Sequence, residues 1–324
     1  RALAMSMRLT NTMLSHRVMT DLQSRYRQMS ATQETISTGK RVNRPSDDPT
    51  AAAMERQRTS DLEGVKRSQD SVAASQSYLD AADSALSGVN NLLARASELA
   101  VYGANGSLSQ DNRNSIAAEI DQLTKAAKDS LNVKFGDAYV FSGTKSDVPP
   151  YSGATGDAYQ GDTGAIVREA GRGVSLQLNG PFSPLNAIPA GSTAALTADT
   201  VLGSGSAAGD GRVLATLEAL SAHLRGGTAA DMTALQTTDL KAIKDNQTAL
   251  SDARATIGAT RNRADAAASR LTDLEDATNQ SLDDLTGVDL AKALTDFTAQ
   301  QTAYQASLKV GAQIIQPSLL DFIR

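Results

Sequence analysis

The sequence contains no cysteine and no tryptophan, and few aromatic residues, prolines or histidines. Of its 324 residues, 4% are aromatic, 8 are proline and 2 are histidine. Without cysteine the chain forms no disulfide, no thiolate zinc site and no thiol nucleophile. With few large rings it builds a thick globular core poorly, whereas its abundant Ala, Leu, Gln, Ser, Thr and Asp favour long amphipathic helices.

Long apolar runs are also missing. No stretch of about 20 apolar residues is present, so the sequence predicts no transmembrane helix and no membrane insertion. The first residues, RALAMSMRLTNTM, have neither the apolar segment nor the cleavage site of a secretory signal peptide. We therefore expect no cleaved signal, and we expect Met7 rather than Arg1 to be the native start.

Residues that carry catalytic chemistry are scarce. His16 and His223 lie far apart in sequence, and no GxSxG motif accompanies them. The Gly-rich stretch 203–212 lacks the Lys-Ser/Thr ending of a phosphate loop, and the carboxylates around Asp47 show no calcium-loop spacing. The sequence thus predicts no enzyme, with no catalytic residues, no cofactor and no metal.

Charge is distributed unevenly along the chain. The net charge is −5, but residues 1–60 contain ten Lys/Arg and five Asp/Glu, which leaves +5 there and −10 elsewhere. The basic residues are spread out, acidic residues lie between them, and Tyr26 is the one aromatic residue among them. This pattern argues against nucleic-acid binding.

A heptad pattern begins near the N-terminus and stops at a corner. The pattern consists of Met19, Leu22, Tyr26, Met29, Gln33 and Ile36, and Gly39 can end the helix in the left-handed conformation. In NRPSDDP, Pro45 stops the helix, Asp48 is a good N-cap and Pro49 fits the first helical position. The predicted inter-domain corner consists of Asn43, Pro45, Ser46, Asp47, Asp48 and Pro49.

The middle of the chain predicts a helical body with a β-containing insert. Helices are expected at about 49–101 and 112–132, and again from about 212 to 285 with an interruption at Gly226–Gly227. Between them, AYVF at 138–141 and the segments 165–170 and 173–178 are typical of short strands.

The end of the chain repeats the pattern of its beginning. TGVD at 286–289 provides a second break, and the helix after it carries a seam of Leu290, Leu294, Phe297, Gln301, Tyr304, Leu308, Gly311 and Ile315. Two heptad helices set off by breaks predict that the termini pair as a coiled coil. Such a short pair is marginally stable alone, since ordering each residue costs about 1–2 kcal/mol, so we expect the ends to serve assembly.

The predicted fold is mainly α: an elongated helical bundle with paired terminal coiled-coil helices and a small β-containing central insert. The predicted domains are a terminal coiled-coil assembly domain (7–42 and 287–324), a helical body (43–145 and 212–286) and a β-rich outer insert (146–211).

Four segments together resemble the flagellin superfamily, and within it the hook-associated members most. They are MRLTNTMLSHRVMTDLQ at 7–23, STGKRVNRPSDDPTAAAM at 37–54, FSGT at 141–144 and QTAYQASLKVGAQIIQPSLLDFI at 301–323. The resemblance implies a structural component of the bacterial flagellum that joins hook to filament by ring-like self-assembly. The seams would then form the assembly interface: Leu9, Met13, Leu22, Leu290, Leu294, Phe297, Tyr304, Leu308 and Ile315.

The same resemblance implies the partners and the location. The chain would contact copies of itself, a neighbouring hook-associated protein and flagellin, with an export chaperone at the C-terminal helix. It would be extracellular, exported by the flagellar type III apparatus. Two alternatives stay open at this point: a filament subunit of the flagellin type, and a surface adhesin that acts through the central insert.

Overall fold

A computed structural model describes residues 2–151, 158–179, 201–203 and 211–320, with the side chains of Met13 and of the described residues between 15 and 312. None of the described helices has a stretch apolar and long enough to cross a membrane. The helices are α1 (Ala2–Thr38), α2 (Pro49–Gly103), α3 (Gln110–Leu131), α4 (Val213–Gly226), α5 (Ala229–Ala234), α6 (Leu240–Thr286) and α7 (Leu290–Leu320), with a π-helical turn at Leu235–Asp239.

The chain forms two compact units. The first unit contains residues 1–64 and 275–324, and the second contains residues 65–274. Helices α2 and α6 therefore each contribute residues to both units. The chain is mainly α with paired terminal helices and small sheets in the middle, which confirms the predicted fold class.

The second unit has one continuous apolar core. It is lined by the inward faces of α2, α3, α4 and α6, whose leucines, isoleucines and alanines recur at helical spacing. Helices α2 and α4 approach closely at Gly103, since a Cβ atom there would lie 2.4 Å from Leu224 Cδ2. The largest fully buried helical side chains are Leu79, Leu86, Leu93, Ile120, Leu131, Leu214 and Leu217.

Polar pairs join α2 to α6 within this unit and show that the two helices are antiparallel. Gln76 Nε2 donates to Asp265 Oδ1 at 2.6 Å, and Arg261 pairs with Asp80 one turn further along α2. Arg254 then reaches Asp83 with two hydrogen bonds of 2.7 and 3.0 Å. Each pair is partly exposed, so together they fix the register of the helices more than they add stability.

The β structure consists of two short antiparallel pairs. Strands β1 (Lys134–Phe135) and β2 (Ala138–Tyr139) form one hairpin, and β3 (Val167–Glu169) and β4 (Ser175–Gln177) form the other. The segment AYVF is a strand only in its first half, and beyond it the Val140 carbonyl accepts a hydrogen bond from the Tyr78 hydroxyl at 2.6 Å. Burial of Tyr78 raises the pKa of its phenol.

The FSGT segment folds into a turn around one carboxylate. Gly143 has a φ of 68°, and its Cβ would lie 2.1 Å from the Asp162 carbonyl oxygen, so only glycine fits. The Thr144 hydroxyl and the amides of Thr144 and Gly164 donate to the Asp162 carboxylate, and these bonds, the hydroxyl's first, hold its pKa below the ordinary value. The conformational demands of this turn explain the motif.

Most of the predicted insert at 146–211 lies outside the described residues, namely 152–157, 180–200 and 204–210. The predicted strands at 165–170 and 173–178 exist, although each is shortened to three residues. The predicted interruption at Gly226–Gly227 is confirmed, since α4 ends there and Gly227 adopts a φ of 64°.

Replacing Leu86 with alanine is expected to destabilise the second unit by about 2–5 kcal/mol, since the side chain is fully buried and leaves a cavity. Urea denaturation of the purified chain measures this loss. Val101→Ala on the same helix is the matched control, because Val101 is 61% exposed and its replacement should change stability by less than about 0.5 kcal/mol. Equal effects at both positions would contradict the assignment of this core.

Candidate functional site

The first and last helices, α1 and α7, lie against each other in the first unit. The Tyr26 and Tyr304 rings contact each other in a tilted arrangement with centroids 6.1 Å apart, and Thr32 Oγ1 donates to Gln300 Oε1 at 3.0 Å. A Cβ atom at Gly311 would lie 3.0 Å from Val18 Cγ1. Since residues further along α1 meet residues earlier in α7, the pair is antiparallel.

One strip of α7 is buried or half-buried in the single chain. Ala293 and Gly311 are buried, and Phe297, Gln300 and Tyr304 between them are half-buried. On α1 the matching strip is half-buried and consists of Val18, Leu22, Met29, Thr32 and Ile36. The contact is therefore thin, because each helix of the pair covers only one strip of the other.

The seven-residue seam of α7 is only partly this contact strip. Tyr304 contacts Tyr26 of α1 and Phe297 is half-buried, but Leu290, Leu294 and Leu308 are exposed by 49%, 51% and 45%. The pairing of the two terminal helices is confirmed, and the assembly role of these three leucines stays a prediction. Spacing of 3 and 4 residues keeps side chains within a broad arc, and the close approach of Gly311 to Val18 lies at one edge of that arc.

The remaining predicted interface residues are divided in the same way. Leu22 is half-buried against α7, whereas Met13 is 69% exposed. Leu9 is a residue of α1 and Ile315 a residue of α7, and the side chains of both lie outside the described part of the structure. The described terminal helices thus carry an exposed apolar set of Met13, Met19, Tyr26, Leu290, Leu294, Leu308 and Val310.

The predicted corner is a β-turn followed by a capped helix. The Asp47 amide donates to the Arg44 carbonyl at 2.9 Å, which places Pro45 at the position that turns prefer for proline. Asp47 Oδ2 accepts the amides of Asn43 and Arg44 at 3.2 and 2.8 Å. Ser46 is exposed in the middle of the turn. Local hydrogen bonds therefore hold the corner in one conformation.

Asp48 is the N-cap of α2, as predicted. Its Oδ1 accepts the Ala51 amide at 2.9 Å, and Pro49 begins the helix. The hydrogen bond from Ala51 lowers the pKa of Asp48, and the Arg41 side chain lowers it further. A lowered folded-state pKa means that the cap contributes stability above the ordinary aspartate pKa and loses it as the pH falls through the lowered value.

The two chain breaks meet. Gly39 ends α1 with a φ of 70°, and its carbonyl accepts the Val288 amide at 3.2 Å. The Arg41 amide donates to the Thr286 carbonyl at 2.6 Å, which makes a small antiparallel bridge between Lys40 and Gly287. We call residues 39–41 and 286–288 the double break. It ties the end of α1 to the start of α7.

Side chains reinforce the double break. Arg41 Nη2 donates to the Leu285 carbonyl at 3.0 Å, and Lys40 Nζ pairs with Glu55 Oε1 at 2.8 Å. Thr286 is 4% exposed and closes the last turn of α6. Sequence analysis did not identify Arg41, Glu55 and Thr286 as site residues. The presence of one helix break near each terminus was the one sequence feature that pointed to this contact.

The side chains that could carry catalysis or bind a metal ion form no such site in the described residues. His223 Nδ1 lies 2.8 Å from Asp239 Oδ2, where the buried carboxylate anchors the π-helical turn, and His16 is exposed on α1. Within the described ranges, no group of three His, Cys, Asp or Glu side chains is arranged to hold a metal ion. The candidate site therefore consists of contacts between chain segments: the α1–α7 pair, the corner and the double break.

Comparison with known proteins agrees with this arrangement. The bacterial flagellin N-terminal helical region matches residues 9–146, and the bacterial flagellin C-terminal helical region matches residues 240–323. Together the two matches span more than half of the chain. They include α1, the corner, α6 and α7.

Individual relatives match over most of their length. Flagellar hook-associated protein 3 of Escherichia coli strain K12 is 29% identical over 293 residues, 85% of this chain and 87% of that protein. A flagellin of Listeria monocytogenes is 27% identical over 297 residues, 90% of each. The structure of Bacillus cereus FlgL shares the fold, with a TM-score of 0.55, 21% identity and coverage of 70% of this chain and 99% of that one. The chain therefore belongs to the flagellin family, whose members are structural proteins of the bacterial flagellum.

Proposed function

We propose that this flagellar protein joins hook to filament and assembles as a ring through its N- and C-terminal helices. The observation that carries the proposal is the α1–α7 pair, which leaves large apolar side chains of both helices exposed in the single chain. Burial of such side chains drives association. Met13, Leu290, Leu294 and Leu308 are then the contacts that neighbouring subunits cover, and Leu22, Phe297 and Tyr304 hold the pair together.

The domain division follows from the same proposal. Residues 7–42 and 287–324 form the assembly domain, residues 43–145 and 212–286 form the wall, and residues 146–211 form an outer insert. The corner at 43–49 then fixes the direction in which the chain leaves α1. Its local hydrogen bonds support a fixed direction, because they hold the turn without help from a neighbouring subunit.

The partners are further copies of this chain, an adjacent hook-associated protein and flagellin. The similarity to hook-associated protein 3 along most of both chains supports this choice. Before assembly the protein passes through the flagellar type III apparatus to the cell exterior. An export chaperone that binds α7 would cover its exposed leucines, which otherwise favour aggregation.

A filament subunit of the flagellin type is the second candidate. The specific observation that favours it is the Listeria monocytogenes flagellin, which matches as long a part of the chain as the hook-associated relative does. The two candidates differ in the product of assembly. A filament subunit polymerises into long filaments, whereas a junction subunit forms a short ring and stops.

Deletion of the gene distinguishes them. If the protein forms the junction, deletion leaves bare hooks in electron micrographs, releases unassembled flagellin into the medium and abolishes swimming. The wild-type gene on a plasmid, as the control, restores filaments and swimming. Disappearance of the major filament subunit itself would instead identify the protein as that subunit, and normal filaments would overturn both candidates.

A further inference from the structure

The turn between α2 and α3 contains an Asn-Gly pair. Residues 102–109 read YGANGSLS, and the sequence has one other such pair, at 179–180. Asn105, Gly106 and Ser107 are all exposed. A Cβ atom at Gly106 would meet nothing within 4 Å, so no neighbouring group crowds this residue. The pair is therefore accessible to water.

The carboxamide of Asn105 is held by two hydrogen-bond donors. Its Oδ1 atom accepts the Ser107 amide at 3.1 Å and the Ser107 hydroxyl at 2.9 Å. Negative charge would develop on this same oxygen if a nucleophile attacked the Cγ atom of Asn105, and donors aimed at such an oxygen stabilise that charge. The two bonds also draw electron density from the carbonyl and make its carbon more electrophilic. The side chain is thus prepared for nucleophilic attack.

The nucleophile that follows this carbonyl in the chain is the backbone nitrogen of Gly106. In the described part of the chain the Gly106 amide donates to no acceptor. The amides of Asn105 and Leu108, by contrast, donate to the carbonyls of Tyr102 and Asn105 at 3.2 and 3.1 Å. Attack of the Gly106 nitrogen on Asn105 Cγ closes a five-membered ring, and an intramolecular attack has no second reactant to bring in.

We propose that Asn105 is a self-modification site, at which the Gly106 amide converts the asparagine to isoaspartate and aspartate. The Gly106 nitrogen bonds to Asn105 Cγ and gives its proton to water or hydroxide, while the Cγ–Nδ2 bond breaks and ammonia leaves. Water then opens the resulting succinimide. Opening at the side-chain carbonyl gives aspartate, and opening at the main-chain carbonyl gives isoaspartate. One water is consumed and one ammonia released, with no oxidant or cofactor, and the inference does not rest on the proposed junction role.

The asparagine of the other Asn-Gly pair is held in a way that opposes the reaction. Asn179 is 3% exposed. Its Oδ1 accepts the Ile166 amide at 2.7 Å, and its Nδ2 donates to the Gly164 carbonyl at 2.8 Å. The leaving nitrogen is therefore bonded inside the protein and shielded from water. The chain thus contains the same dipeptide in two environments, which makes Asn179 an internal comparison for Asn105.

Conversion at Asn105 would alter the connection between α2 and its neighbours. Isoaspartate adds one methylene group to the main chain and one negative charge to the turn. The Asn105 carbonyl accepts the amide of Leu108, which packs against the core, and the Ala104 carbonyl accepts Gln236 Nε2 of the π-helical turn at 3.2 Å. These contacts shift when the main chain lengthens. We therefore expect the turn to loosen in protein that has reacted.

Incubation of the purified chain at mildly alkaline pH tests the site. Peptide mapping by mass spectrometry, with isoaspartate detected by an isoaspartyl methyltransferase, should show conversion at Asn105, faster at higher hydroxide concentration, and none at Asn179. Gly106→Ala should slow the conversion roughly tenfold or more, since a Cβ atom restricts the backbone that brings the amide to Cγ. The folded chain has open space for this alanine. An unreacted Asn105, or equal rates at Asn105 and Asn179, would overturn the proposal.

Ser107→Ala tests whether the hydroxyl activates the carboxamide. Loss of this donor should slow conversion several-fold, and a rate equal to the wild type or above it would overturn the activation. Hydrogen exchange at the Leu108 amide then measures the structural consequence. Exchange should be faster in incubated than in fresh wild-type protein and unchanged in incubated Gly106→Ala, which controls for other damage. Equal exchange in the two incubated proteins would refute the loosening of the turn.

Discussion

Replacing both Leu294 and Leu308 with aspartate is expected to abolish filament attachment and leave the free chain as stable as the wild type. Both side chains are about half exposed, so the single chain loses little buried apolar surface. Between subunits, burial of the exposed half of each leucine contributes about 1 kcal/mol. A buried, unpaired carboxylate costs several kcal/mol more, so the loss accumulates around the ring.

Two measurements on the same variant separate assembly from folding. Thermal unfolding of the purified chain should be unchanged, while swimming in soft agar should be lost in the deletion strain. Thr298→Asp with Gln305→Asp provides the control, since both residues are exposed polar positions of α7. Swimming by the leucine variant would show that these side chains stay in water in the flagellum and would remove the main support for assembly through α7.

Gly287→Ala is expected to open the double break. A Cβ atom at Gly287 would lie 2.4 Å from the backbone carbonyl oxygen of Asp283, which cannot rotate away as a side chain can. The last turn of α6 must then shift. The hydrogen bonds from the Arg41 amide to the Thr286 carbonyl and from the Val288 amide to the Gly39 carbonyl then weaken. Each such bond contributes about 0.5–1.5 kcal/mol net, so hydrogen exchange at these two amides should become roughly tenfold faster or more.

The matched control for this change is a second Gly→Ala substitution in α6, which is expected to raise stability instead of lowering it. Gly258 lies in the middle of α6, and nothing lies within 4 Å of the Cβ atom that Gly258→Ala would add. Alanine there should stabilise the helix by about 0.5–1 kcal/mol. Hydrogen exchange by NMR or mass spectrometry reports both variants. Unchanged protection of Arg41 and Val288 in Gly287→Ala would mean that the bridge does not hold the two breaks together.

The consequence for assembly follows from the position of the bridge. The double break joins the end of α1 to the start of α7 through backbone hydrogen bonds. The two terminal helices are therefore held together at this bridge. When the bridge opens, its hydrogen bonds no longer hold α1 and α7 in one relative position. Gly287→Ala should therefore also reduce swimming.

Local physical chemistry determined much of this protein from its sequence. The left-handed Gly39 and the Asp48 cap of α2 were both readable, because each depends on a few neighbouring residues. Helical periodicity likewise located the main helices, and the quoted motifs carried the resemblance to the flagellin family.

Tertiary structure alone decided which surfaces meet. Heptad spacing marked an apolar stripe on α7, but the close approach of Gly311 to Val18 lies at one edge of it, and three leucines of the stripe are about half exposed. The bridge between Lys40 and Gly287 joins residues at opposite ends of the chain and has no local sequence signal. Such contacts depend on packing between distant segments, whereas caps and turns depend on backbone groups a few residues away.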